Sequence, residues 1–203
     1  MAKKISYNDA QVRELLLQAL ETERGGIKIY ENAIKAAVNG DLRKEWKEYL
    51  GETRTHERVL LNVFSELGMD PEESSPGRTV VAHQGESLVA AIQEARKNAD
   101  AAAAELVACE CVVLAETKDH LNWHLIGHVA KHGTGPETRV LKQAHQAVEK
   151  DEDHHLYHTT GWTRELWIQS LGMPAVLPPP EEEKQVESAI GAARAEQARQ
   201  KML

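Results

Sequence analysis

The sequence predicts an all-α protein built on four long helices, and three observations carry that reading. Alanine, leucine, glutamate, lysine, arginine and glutamine dominate the chain of 203 residues, and aromatic residues make up only 4%. Those six residue types are strong helix formers, while β-branched runs of strand length are nearly absent. Apolar residues recur in alternating steps of three and four along stretches that open at Asn or Asp and close at Gly.

The first helix is expected to start near Asn8-Asp9, which can cap it, and to stop at Asn39-Gly40. Its stripe runs Leu16, Leu20, Glu23, Ile27, Tyr30 and Ile34, so an acid stands in an otherwise apolar row. Asp41 is the expected cap of the second helix, which ends at Leu67-Gly68 and presents Trp46, Tyr49, Thr53, His56, Leu60, Val63 and Leu67. Residues 69–85, rich in Pro, Ser and Gly, predict a long connection, followed by a short helix over about 87–97 and a break at Asn98-Ala99-Asp100. Such a crossover lets the third long helix start at the far end of the bundle.

That third helix runs to about His132 with Leu106, Cys109, Val113, Glu116, His120, Trp123 and Gly127 on its stripe. Gly133 to Pro136 reads as a turn, with Pro136 suited to the first position of the fourth helix. The fourth stripe is Leu141, His145, Val148, Glu152, His155, Thr159, Trp162 and Leu166, and the helix stops at Gly172. Pro178-Pro179-Pro180 then divides the chain into a bundle over residues 1–176 and a linker with a charged tail or helix over 177–203. In that tail Glu181-Glu182-Glu183 is expected to be solvated.

A formal charge of -8 argues against nucleic acid or an anionic membrane as the main partner. The first residues lack a long apolar stretch, which predicts neither signal peptide nor membrane anchor and a cytoplasmic location. Cys109 and Cys111, two apart in a helical pattern, point to different sides and read as reduced core residues.

Each helix carries an acid, with Glu23, Glu116 and Glu152 on their stripes and Glu52 next to Thr53 in a looser copy, and His56 and His155 stand beside two of them. In an antiparallel hairpin, residues equidistant from the turn lie at one depth. Glu23 and His56 are centred on Asn39-Gly40, and Glu116 and His155 on Gly135-Pro136. At a rise of 1.5 Å per residue the pairs sit roughly 25 and 29 Å from their turns. The halves also repeat: Tyr30 follows Glu23 by seven residues, Trp123 follows Glu116 by seven, and both Leu67-Gly68-Met69 and Leu171-Gly172-Met173 end a helix. A duplicated hairpin folded into a four-helix bundle accounts for this. Burying such acids and imidazoles together is costly unless a cation sits among them. One acid from each of two helices, plus an acid–histidine pair from each of the others, is the donor set of dinuclear carboxylate bundles. His120 is expected to face inward as an extra donor, and Asp151, or an acid on a neighbouring helix, to receive the outer ring N–H of a ligand histidine.

At these residues the chain resembles the ferritin-like superfamily, especially its bacterioferritin and rubrerythrin branch. An acid followed by tyrosine seven residues on (Glu23 to Tyr30) and Asp-Glu-x-x-His (Asp151 to His155) carry the resemblance, which covers roughly residues 9–172. It implies an up-down-down-up bundle and a metal site of Glu23, Glu52, His56, Glu116, Glu152 and His155, to which His120 adds an inward donor that the family pattern does not demand. Glu23 and Glu116 would be terminal ligands, Glu152 a bridge, and Glu52 a second bridge. Two irons per chain are implied, with manganese or zinc as substitutes, together with reaction with dioxygen or peroxide and homo-oligomer formation. The departure is Thr53, which stands where the family has a glutamate three before the histidine. That departure favours an alternative, a helical stress or interaction protein with a degenerate or non-redox site. The four-residue spacing of His120, His124, His128 and His132 invites a third, a hemerythrin-like or histidine-based metal carrier.

Overall fold

The computed structural model describes residues 6–135 and 137–203, so Pro136 lies outside the described residues. It is all-α over that range, in seven helices: α1 (Asp9–Ala36), α2 (Gly40–Leu67), α3 (Pro76–Asn98), α4 (Ala101–His132), α5 (Thr138–Ser170), α6 (Pro180–Glu183) and α7 (Ala189–Ala198). A short 3-10 turn, Arg199–Lys201, follows.

Helix starts follow from side chains that accept the first free amides. Asn8 caps α1, Ser75 caps α3 and Asp100 caps α4. Two expectations need correction at the first turn. α1 stops at Ala36, and the cap of α2 is Asn39, whose Oδ1 accepts from Asp41 at 2.9 Å and Leu42 at 3.1 Å. Asp41 lies instead in the first turn of α2, where its charge suits the helix N-terminus. The turn is tied to α4 by Glu105, which accepts from the amides of Val38 and Asn39, each at 2.6 Å. Gly68 ends α2 at φ 63°, the left-handed conformation a glycine adopts without penalty.

The crossover also differs from expectation. Residues 69–85 are not one long loop: the loop ends at Ser75, and α3 runs for 23 residues from Pro76. Pro76 is at the first position of that helix, where its missing amide costs nothing. α3 runs parallel to α1, with Arg78 on Glu21 at 2.9 Å and Gln93 on Asn32 at 3.2 Å. Gly25 and Gly85 lie against each other between these contacts.

The four long helices pack side by side, α1 against α2 and α4, and α5 against α4 and α2. Tyr30 meets Glu116 and Glu23 meets Trp123, so α1 and α4 are antiparallel. His56 meets Asp151 and Glu52 meets His155, so α2 and α5 are antiparallel too. The apolar interior falls into two clusters. One gathers Leu16, Leu20, Leu60, Phe64, Trp123, Ile126 and Val148, and the other Ile29, Tyr30, Trp46, Tyr49, Val112 and Trp162. Each large side chain buried there contributes roughly 1.5–3 kcal/mol. Cys109 and Cys111 are both buried and free, and burial pushes the Cys111 thiol up to about 11. No helix among the described residues is long and apolar enough to cross a membrane.

The stretch after Pro178 departs from the solvated tail expected of its charge. Glu181 is 2% exposed and takes a two-point ion pair from Arg164, at 2.7 and 2.9 Å. Arg199 reaches back to Glu165 at 2.6 Å, and Val186 and Ala195 are buried. Gly161 makes the approach possible: a Cβ there would meet Glu181 Oε2 at 2.5 Å.

Candidate metal centre

Between the two apolar clusters lies a layer of buried polar groups from all four long helices. Glu23 is fully buried on α1, His56 is 1% exposed on α2, Glu116 3% and Asp119 5% on α4, and Glu152 2% and His155 1% on α5. The level predicted from the turns is the level at which these side chains meet.

Glu152 sits between the two histidines. Its Oε1 is 2.9 Å from His56 Nδ1 and 3.9 Å from His155 Nδ1. Both imidazoles turn Nδ1 inward and Nε2 outward, and their rings stack at 5.6 Å. The outward nitrogen of His56 meets Asp151 Oδ2 at 3.2 Å; that of His155 meets Glu52 Oε2 at 2.8 Å. A carboxylate on the outer nitrogen fixes which nitrogen faces in and raises its basicity. Burial opposes protonation of His56, but Asp151 and Glu152 outweigh it and hold its pKa above the ordinary imidazole value. Burial likewise opposes protonation of His155, which Glu116 and Glu52 hold well above it.

The terminal acids are held by a crossed pair of hydrogen bonds. Trp123 Nε1 donates to Glu23 Oε1 at 2.7 Å, and the Tyr30 hydroxyl donates to Glu116 Oε1 at 2.7 Å. Each ring stands seven residues after one acid and serves the other. Glu23 Oε1 lies 3.8 Å from His56 Nδ1, and Glu116 Oε2 lies 3.6 Å from His155 Nδ1.

Asp119 is the buried acid that the sequence reading missed. One carboxylate oxygen from each of Glu23, Asp119 and Glu152 lies within 4.8 Å of the others, as do one ligand atom each from His56, Glu152 and His155. Asp119 follows Glu116 by three residues, the spacing that puts both on one helical face. The expected stripe steps from Glu116 to His120 and so passes over Asp119.

The same spacing misplaces His120, expected to face inward. It lies on the other side of Glu116's row and pairs at the surface with Asp153 at 2.8 Å, its side chain 26% exposed. His124 and His128 are exposed. Glu52, expected as a bridge, has a side chain 42% exposed and bonds the outer nitrogen of His155. Thr53 is buried, but its hydroxyl donates to its own helix at Tyr49 O, 2.8 Å away. So α2 brings one donor inward, His56, and the acid absent at Thr53 is matched by Asp119 on α4.

Burial, with Asp119 and Glu152 nearby, pushes Glu23 well above the carboxyl range. Burial, with Glu152 and Glu116 nearby, does the same to Asp119. Among the described residues Glu23 Oε2, Glu116 Oε2, Glu152 Oε2 and Asp119 Oδ1 have no hydrogen-bond partner. A buried charge without a partner costs roughly 3–5 kcal/mol. Four carboxylates and two imidazoles converge there, with one oxygen of each acid left without a hydrogen bond, and that donor set fits one or two divalent cations.

On the α1–α3–α4 side a pocket of about 660 Å³ opens, lined by Thr22, Ile29, Val81, Leu88, Ala115 and Lys118. Burial lowers the Lys118 pKa. No family model matches the chain, and no curated protein or solved structure shows significant similarity to it.

Proposed function

We propose that this protein is a ferritin-like bundle that binds a dinuclear non-haem metal centre, with iron as the metal and dioxygen or peroxide as its reactant. The observation that carries the reading is the pair of histidines that turn Nδ1 toward Glu152 while Asp151 and Glu52 hold their outer nitrogens. A network built only for stability would have its inner polar atoms satisfied; here one oxygen each of Glu23, Glu116, Glu152 and Asp119 is buried without a partner.

Glu23, Asp119 and His56 would hold one ion, Glu116 and His155 the other, with Glu152 shared. Bound iron supplies one-electron redox chemistry and a Lewis-acidic place for an oxidant. The chain's own residues do the rest. Tyr30 and Trp123 orient the Glu116 and Glu23 carboxylates. Asp151 and Glu52 keep the imidazoles turned inward. The apolar clusters on either side limit water at the site.

Thr53 supports a second reading, a non-redox site for zinc or manganese, because α2 contributes no inward acid. One experiment separates the two. The chelator-stripped protein is loaded anaerobically with Fe(II), freed of excess, counted for iron, and then exposed to air. About two irons per chain and a new near-ultraviolet band on aeration support the redox reading. Bound iron with no spectral change supports the second. No bound metal, or binding unchanged in Glu152→Ala, overturns both.

A further inference from the structure

A second cluster of metal-type donors lies outside this centre, where the C-terminal segment closes on the bundle. It joins His158 of α5, Glu45 of α2 and Glu182 of α6, one ligand atom from each lying within 4.8 Å of the others. His158 is 2% exposed. Its Nε2–H is placed to donate to Val186 O at 3.0 Å, and its Nδ1 meets Glu182 Oε2 at 2.8 Å, the nitrogen a metal ion would take in exchange for its proton. A backbone carbonyl that fixes the outer nitrogen is the arrangement a metal-binding imidazole needs.

The neighbouring acids are short of positive charge. Arg164 is taken by Glu181, Lys150 by Glu187 and Lys44 by Glu48. Among the described residues Glu182 has His158 as its one ion-pair partner, and Glu45 has none. Burial, with Glu182 alongside, pushes the Glu45 carboxyl up to about 8. A further polar atom adjoins this pair. Tyr49, one turn after Glu45, is 5% exposed, and its hydroxyl has no hydrogen-bond partner. After burial itself, the groups that act on that phenol most strongly are Glu45 and Glu182.

We propose that His158, Glu45 and Glu182 form a second metal site, with Tyr49 at its edge, that takes a divalent first-row transition ion and clasps the C-terminal segment to α2 and α5. One imidazole nitrogen with two carboxylates suits zinc, iron or manganese. The three donors come from three separate parts of the chain, so binding there couples metal to the docking of the segment. The site also borders the main centre, because the Tyr49 ring packs on His155 with centroids 4.3 Å apart. Its existence does not depend on that centre being redox-active.

The test uses the full chain, stripped by chelator and titrated with Zn(II). Metal per chain is counted at saturation, and amide exchange is followed over residues 180–188. Glu45→Gln is the decisive variant, since Glu45 lies outside the segment and outside the main centre. It should bind one zinc fewer than the parent with its helical circular dichroism unchanged. Zinc should slow exchange over 180–188 at least tenfold in the parent and not in Glu45→Gln. Glu182→Gln should lose the same equivalent. Equal zinc counts in the parent, Glu45→Gln and Glu182→Gln would leave His158 and Glu182 as a plain ion pair and overturn the proposal. So would exchange over 180–188 that zinc leaves unchanged.

Discussion

Glu52 accepts from His155 Nε2 at 2.8 Å, in the same role that Asp151 fills toward His56 on the opposite helix. Glu52 stands four residues before His56, and Asp151 four before His155. Each α2–α5 histidine is therefore held from behind by the acid that precedes the other one. Glu52→Gln should keep the number of metals bound and weaken their binding by about 10–100-fold, the usual cost of removing an outer partner. Competition with a chelator of known affinity measures this. A drop in metal count instead would make Glu52 a direct ligand.

Asp119 and Thr53 should behave oppositely. Asp119→Asn removes an inward charge and should lower the metal count or weaken binding at least tenfold. Thr53→Ala removes only a hydroxyl bonded to Tyr49 O and should leave the count unchanged, at a stability cost of about 1 kcal/mol. Metal analysis after desalting checks both. An unaffected Asp119→Asn would return the second acid to another residue.

Without metal, stability should fall as pH rises. The folded-state pKa values of Glu23, Asp119, Glu152, His56 and His155 all lie above their ordinary values. Each such group keeps its proton in the fold to a higher pH than in the unfolded chain. Its stabilisation is complete below the unfolded pKa and is lost as pH climbs through the folded one. Chelator-treated protein should therefore show a Tm that falls as pH rises above the ordinary carboxyl range and on through the ordinary imidazole value, and bound metal, which favours the deprotonated acids, should flatten that fall. A metal-free Tm that rises across this range would contradict the burial of these groups as acids.

Much of this was legible in sequence because helices write local rules. Asn8, Gly68 and the Asn98-Ala99-Asp100 break act on backbone within a few residues of themselves, and Glu23, Glu116, Glu152, His56 and His155 fall at one depth by counting from turns. The remainder was decided by side-chain direction and tertiary contact. Asp119 and His120 stand three and four after Glu116, on either side of its row, and counting alone could not choose between them. Ser75-Pro76 looked like a turn because serine and proline serve loops and helix starts alike. The docking of residues after 177 depends on Gly161, Arg164 and Glu165, which no pattern within the tail reveals.

Gly161 gives that docking a direct test. Alanine within a helix is favoured over glycine by about 1 kcal/mol. Here, though, the added Cβ would meet Glu181 Oε2 at 2.5 Å and Cδ at 2.9 Å, with Pro179 Cβ at 3.1 Å. Gly161→Ala should push Glu181 from its two-point contact with Arg164 and make the chain after residue 177 cleavable by trypsin under native conditions. Limited proteolysis followed by mass spectrometry reads the result. A segment as resistant as the parent's would show that Arg199 and Val186 hold it without Glu181.

The crossed bonds of Tyr30 to Glu116 and Trp123 to Glu23 bear on how such a site can arise. Neither hairpin supplies the donor for its own acid; each is completed only by the other. A single α1–α2 or α4–α5 unit would therefore present an acid with no donor, whereas two copies meeting about a twofold axis would make both bonds at once. Self-association would thus be the minimum condition for a half-length chain to assemble the layer. Once the halves are joined in one polypeptide, that symmetry is no longer enforced. One ring can then be a phenol and the other an indole, and an acid can leave α2 while another joins α4.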